Sequence, residues 1–291
     1  MSGARIAVVF GGGGAKAAAH AGAHRALQEA GLRPIHYVGT SMGSLFAALF
    51  ATGLTPDEVL ARVGRLRPED VVVKDLLSIV KGFWGRSVLK AEPLRASLRR
   101  ILPVSRFEDM KTPLTVTGVP LDTGELALFG AGGRSAPLVD AIYASCALPL
   151  YYPPGVIEGR RYADGGLRAV VPLEPALLER PDLVLAVDIG PGFDERAEPG
   201  EAAAVPPMLQ AHDDALGIMM AAQTQAALAL WRAHPDRPPL VYVRPRVDRG
   251  ATFRVDQMER FAEEGYRATK AALAERVGDE QISRQSGTGS R

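Results

Sequence analysis

The sequence predicts an α/β fold: three layers, α/β/α, around a mostly parallel central sheet. Three observations carry this. β-rich apolar runs alternate with runs of helical composition, two strand–loop–helix units follow one another at the start, and the strand runs are apolar throughout rather than alternating. A strand covered by helices on both faces has no polar side, so its sequence reads as a continuous apolar run. The chain has 291 residues, 47% of them hydrophobic and 23% charged, enough apolar material for one large core. We read residues 1–276 as one domain and 277–291, which lack apolar periodicity, as a disordered tail.

In chain order, Arg5 to Phe10 is the first strand, broken by Gly11 to Gly14. The Ala-rich stretch 15–30 has helical composition and is closed by Gly31. Pro34 to Val38 is the second strand, followed by a helix from Met42 to Thr52 that ends at Gly53. Thr55, Pro56, Asp57 and Glu58 start a helix, with a capping hydroxyl, proline at the first position and acids in the first turn. Helical character is expected from there to about Leu102. Leu114 to Phe129 reads as two strands joined at Asp122-Thr-Gly124, and Ser135 to Ala147 as a helix. Leu183 to Ile189 and Leu240 to Val243 are further strands, and helices are expected over Leu209 to Ala233 and Asp256 to Arg276.

Charge and cysteine content narrow the function. With 34 basic and 33 acidic residues the formal net charge is +1, which offers no general attraction for nucleic acid. Cys146 is the only cysteine, so no intrachain disulfide or thiolate metal cluster can form. The N-terminal apolar run is too short for a signal-peptide core, and no segment has the ~18 to 20 uninterrupted apolar residues of a membrane span. The expected location is cytoplasmic.

The stretch Gly39-Thr-Ser41-Met-Gly43 lies between strand and helix. Such a junction turns through a tight elbow, where glycines two residues either side let the backbones pass closely and the serine hydroxyl is pushed outward. The glycine loop Gly11 to Gly14 leaves the neighbouring strand at the same sheet edge. It lacks the Gly-Lys-Ser/Thr ending of a phosphate loop, since Ala15 precedes Lys16 and Ala17 follows. A dinucleotide loop fits the spacing of Gly12, Gly14 and Ala17, but no acid ends the second strand to hold a ribose. An oxyanion hole, built from bare amides at a helix start, fits both motifs together. A base is then required. His20 and His24 sit four apart on the first helix, His36 lies inside a strand, and neither His212 nor His234 has a loop setting suited to a triad. Asp164, immediately before Gly165 and Gly166, stands where the chain turns sharply.

The residues GGGGAK at 11–16, GTSMG at 39–43, ASCALPLYYPP at 144–154 and DGG at 164–166 resemble the patatin-like phospholipase family in order and spacing. AVDIG at 186–190 and the stretch 261–273 look similar to bacterial members. The resemblance implies a Ser/Asp dyad without histidine, with Ser41 the nucleophile, Asp164 the general base, and the amides of Gly12, Gly13 and Gly14 the oxyanion hole. Lys16, Gly39, Gly43, Gly165 and Gly166 match supporting motif positions. The implied activity is hydrolysis of a lipid or other acyl ester, with no cofactor and no metal. Two departures stand out: Ala17 where the glycine pattern ordinarily ends in Gly, and Ala169, Val170 and Val171 before Pro172 where members commonly carry asparagine. The mixed apolar and basic stretch Asp75 to Lys90 suggests peripheral membrane contact, although a core-packed amphipathic helix has the same pattern. Oligomeric state is not encoded in any motif. A nucleotide-dependent oxidoreductase and a catalytically idle scaffold of the same fold are the alternative readings.

Overall fold

The computed structural model describes residues 4–67, 73–75, 87–191, 207–247 and 257–287. Its strands are β1 (Ile6–Phe10), β2 (Pro34–Gly39), β3 (Leu114–Pro120), β4 (Ala127–Gly130), β5 (Gly155–Ile157), β6 (Arg160–Asp164), β7 (Leu183–Val187) and β8 (Leu240–Val243). They form one eight-stranded sheet in the order β5-β6-β3-β2-β1-β7-β8, with β4 on β3. β8, β7, β1, β2 and β3 run parallel, while β4 and β6 pair antiparallel with β3, and β5 pairs antiparallel with β6. The mostly parallel sheet is thus as expected.

The helices are α1 (Ala19–Glu29), α2 (Met42–Ala51), α3 (Pro56–Val63), α4 (Ala91–Ile101), α5 (Leu138–Ser145), α6 (Pro207–Ala233) and α7 (Met258–Gly287). Successive residues of a strand point to opposite faces, and β1 shows the result. Ile6, Val8 and Phe10 enter a core shared with residues of α1 to α5 and α7, whereas Ala7 and Val9 enter a second core closed by Leu228 and Trp231 of α6. β7 divides in the same way, Leu183, Leu185 and Val187 against Val184 and Ala186. Because both faces are covered, neither strand alternates.

Three elements differ from expectation. Among the described residues helix does not run unbroken from Thr55 to Leu102: α3 stops at Val63, α4 begins at Ala91, and Lys74 pairs with Leu89 in an antiparallel bridge between them, while 68–72 and 76–86 lie outside the described residues. Gly64, with its low helix propensity, caps α3 one residue later. The β5–β6 hairpin, which sequence patterning does not reveal, turns at Glu158-Gly159, with φ of 50° and 77°, the positive pair of a type I′ turn. The helical backbone of α7 continues past Val277 to Gly287. Of the stretch proposed to contact a membrane, 76–86 lies outside the described residues.

α3 starts as its sequence predicts: the Thr55 amide donates to Glu58 Oε2 at 2.8 Å and the Glu58 amide to Thr55 Oγ1 at 3.3 Å, a closed capping box. α1 crosses α7 at two glycines with no room for a side chain. A Cβ on Gly22 would fall 1.7 Å from Ala262 O, and one on Gly265 1.9 Å from Ala19 O. Since both obstacles are backbone, the helices would have to separate. Gly22→Ala and Gly265→Ala are each expected to destabilise the fold by about 1–3 kcal/mol or more, read as a lower urea midpoint; an unchanged midpoint would contradict so close a crossing.

Candidate active site

β1 and β2 are neighbours with parallel register, so the loops leaving their carboxyl ends lie side by side, the usual place for a ligand in such a sheet. After β2 the chain turns at Ser41, whose φ of 53° and ψ of −133° lie where a non-glycine residue is strained. The glycines of the elbow are set by space. A Cβ on Gly39 would lie 2.4 Å from Ser44 Cα, and one on Gly43 2.3 Å from Phe10 O. α2 can therefore start directly beneath the serine, hard against the end of β1.

Three contacts hold the elbow. The Ser41 amide donates to Ser145 Oγ at 2.8 Å, the Ser41 carbonyl accepts from Ser44 Oγ at 2.6 Å, and the Thr40 amide donates to Phe10 O at 3.1 Å. Ser145 is fully buried at the end of α5. Next to it, the buried Cys146 thiol meets the Ser41 side chain, and burial and the Asp164 charge push its pKa well up, keeping it a neutral thiol. Sequence reasoning used Cys146 to exclude a disulfide and a thiolate cluster, and gave neither it nor Ser145 a role at the site. The one available signal was their place in the Ala144-Ser-Cys-Ala147 motif.

Asp164 ends β6, opposite Gly118 of β3, and is 3% exposed. Its Oδ1 accepts from the Gly166 amide at 2.7 Å, and its carboxylate hydrogen-bonds the Ser41 side chain. Burial raises its pKa from 3.8 to about 7, against these two hydrogen bonds, which pull it down. Gly165 must be glycine, since a Cβ there would lie 2.2 Å from Thr117 Oγ1. Met220 of α6 covers the turn, its Cε 3.4 Å from a Cβ placed on Gly166, while the neighbouring Met219 faces outward.

The glycine loop runs into a 3₁₀ turn, Gly14–Ala18, in which Lys16 is buried. Gly12 touches the serine, a Cβ on it lying 3.1 Å from Ser41 Cβ. Its amide, however, donates to Val170 O at 3.1 Å. Of the three amides expected to form an oxyanion hole, that of Gly12 is thus engaged with the backbone, whereas among the described residues those of Gly13 and Gly14 carry no such partner. The same contact bears on the asparagines absent after the Asp164 turn. Here the carbonyls of Ala169, accepting from Thr40 Oγ1 at 3.0 Å, and of Val170 tie that segment to the elbow and the glycine loop, whatever side chains stand there.

The histidines are engaged elsewhere. His20 Nε2 lies 2.9 Å from Gly11 O, His24 Nε2 2.7 Å from the Tyr37 hydroxyl and His36 Nε2 2.9 Å from Thr115 Oγ1, all buried. His212 Nδ1 faces Asp213, and His234 is exposed on the loop after α6.

A strained serine elbow, a buried aspartate against it and a glycine loop alongside lie together at the carboxyl edge of the sheet, and they define a class: an α/β protein with a serine–aspartate pair beside a glycine loop. The chain belongs to the patatin-like phospholipase family, whose model matches residues 8–177. It is 30% identical over 200 residues to an uncharacterized NTE family protein of Mycobacterium tuberculosis, covering 67% of this chain and 52% of that protein. It is 28% identical over 210 residues to YqhO of Bacillus subtilis, covering 65% of this chain and 72% of that protein. The human omega-hydroxyceramide transacylase is 29% identical over 171 residues, 57% of this chain and 31% of its own length. The chain thus spans about half the length of the mycobacterial relative. Among solved structures, VipD from Legionella pneumophila aligns over 94% of this chain and 67% of its own, with 17% identity and a TM-score of 0.48. Among the described residues no helix is long and apolar enough to cross a membrane.

Proposed function

We propose that this protein is a serine acyl hydrolase that cleaves carboxylic esters of lipids through Ser41 and Asp164. The observation that carries the reading is the buried Asp164, hydrogen-bonded to the side chain of the strained Ser41, with a pKa raised to about 7. A general base works best when its pKa lies near the working pH.

Asp164 takes the proton of Ser41 Oγ as that oxygen attacks the ester carbonyl. The carbonyl oxygen becomes an oxyanion that the amides of Gly13 and Gly14 stabilise. On collapse the alcohol leaves with the proton from Asp164, and an acyl-serine remains. Water, deprotonated by Asp164 in turn, attacks the acyl group; the acid departs and the proton returns to Ser41. No step asks for a metal or a cofactor.

Two measurements test this. A fluorophosphonate should label the protein once, and peptide mapping should find the adduct on Ser41; wild-type protein that neither labels nor hydrolyses p-nitrophenyl esters or a fluorogenic phospholipid would leave the idle-scaffold alternative standing. The pH profile is the second. Below about pH 7 Asp164 is protonated and cannot accept, so kcat/KM should fall about tenfold per unit there and level off above. A profile that is flat from pH 5 to 8 would remove Asp164 as the base.

A further inference from the structure

β7 runs into Asp188-Ile189-Gly190, part of the AVDIG stretch that the chemistry above leaves unused. Asp188 is 2% exposed, a carboxylate taken almost wholly out of water. Its Oδ1 accepts from the Gly190 amide at 2.8 Å. Its Oδ2 accepts from the Tyr242 hydroxyl and from Arg244 Nη1, the latter at 2.6 Å. Arg244 Nη2 also reaches Gly190 O at 3.5 Å, so both side-chain ends grip the same short turn.

A buried ion pair adds little to stability compared with well-packed apolar groups, because desolvation consumes most of the Coulombic gain. Its usefulness lies in geometry, and the backbone it holds lies against the glycine loop. A Cβ on Gly13 would sit 2.6 Å from Ile189 O, one on Gly190 3.7 Å from Gly12 O, and the Gly11 amide donates to Val187 O at 3.0 Å. On its other side Gly12 contacts Ser41. The glycine loop is therefore a single backbone thickness between the serine elbow and the Ile189–Gly190 turn. If that turn shifts, the loop has room to follow.

We infer that Asp188, held by Tyr242 and Arg244, is a positioning residue that fixes the Gly13 and Gly14 amides against Ser41 by setting the Ile189–Gly190 backbone. It touches no substrate. The inference rests on the oxyanion role proposed for those amides, and the experiment separates the two.

Asp188→Ala, Arg244→Met and Tyr242→Phe are compared with wild type in two readouts: hydrogen exchange of the peptide spanning Gly11 to Gly14, and steady-state kinetics with the affinity for a trifluoromethyl ketone, which binds as an oxyanion. Misplacing catalytic groups by about 1 Å can cost about 100-fold in rate. We expect faster exchange in that peptide for Asp188→Ala, with kcat down by about 10- to 100-fold, KM within about twofold, and ketone affinity weakened in parallel with kcat. Each of the other two variants removes one of the two side chains that hold the Asp188 carboxylate and should show the same pattern at about 3- to 10-fold. If Asp188→Ala does not fold, those two decide. Unaltered exchange in the peptide, or a lowered melting temperature with kcat unchanged, overturns the inference. An inactive wild type would sink the hydrolase reading instead, and exchange would still decide whether Asp188 holds the loop.

Discussion

Asp164→Asn is expected to lose a factor of about 1,000 to 10,000 in kcat/KM and yet to melt above the wild type. Asparagine keeps the oxygen that accepts from Gly166 but cannot take a proton from Ser41. The stability gain follows from the same burial that tunes the base. An unfolded aspartate titrates near 3.8 and the folded one at about 7, so the ionised form is disfavoured in the fold. The penalty is absent below about pH 4, grows as pH rises and is complete above 7, where three units correspond to about 4 kcal/mol. A neutral amide avoids it, and after imperfect hydrogen bonding a net gain of about 1–3 kcal/mol remains, or about 2–4 °C in Tm for each kcal/mol. Ser41→Ala should lose at least as much activity without this gain. Near-full activity of Asp164→Asn would remove the dyad; loss of activity together with a lower Tm would make Asp164 a structural group.

The motifs that announced this pair were local, and so were the elements that sequence foretold best. β1 and β7 read as apolar runs because both their faces are buried, β8 because one face is buried and the other half-buried, and Asp122-Thr-Gly124 marks the β3–β4 turn through its glycine, at φ 68°. Local pattern failed where a segment is short and its partner distant. β5 has three residues and β6 five, and their pairing, not their composition, makes them strands. Yet β6 is what carries Asp164 to its place beside β3. The same limit applies to the site. Ser41 and Asp164 were visible, but Ser145, which receives the Ser41 amide across 104 positions, and Val170, which occupies the Gly12 amide, become meaningful only once the chain has folded. Asp188 was visible as part of a motif without a role, because its partners lie on β8 and in the loop beyond it.

Lowering the pH from 7 to 4.5 should remove about 3 kcal/mol of stability per unit over its lower part, through buried histidines outside the proposed dyad. Burial lowers the pKa of His20 to about 3 and of His24 and His36 to about 4, from 6.5. The geometry agrees: a carbonyl can only accept, so His20 Nε2 carries the proton toward Gly11 O, and its buried Nδ1 is left without a partner. A folded pKa below the unfolded one means that unfolding takes up a proton. The neutral-histidine contribution is therefore whole above 6.5 and is lost as pH falls below it. Three such groups give about 4 kcal/mol per pH unit. Asp164 has the opposite sign, binding a proton in the fold between about 7 and 3.8, and it takes one unit back, leaving about 3. Urea unfolding from pH 7.5 to 4.5 measures the slope. Asp164→Asn should steepen it to about 4 kcal/mol per unit, and His24→Phe, which can keep the stack on Phe50 now at 3.9 Å, should reduce it by about 1.4. A slope indifferent to both substitutions would mean that these buried groups do not titrate as their surroundings require.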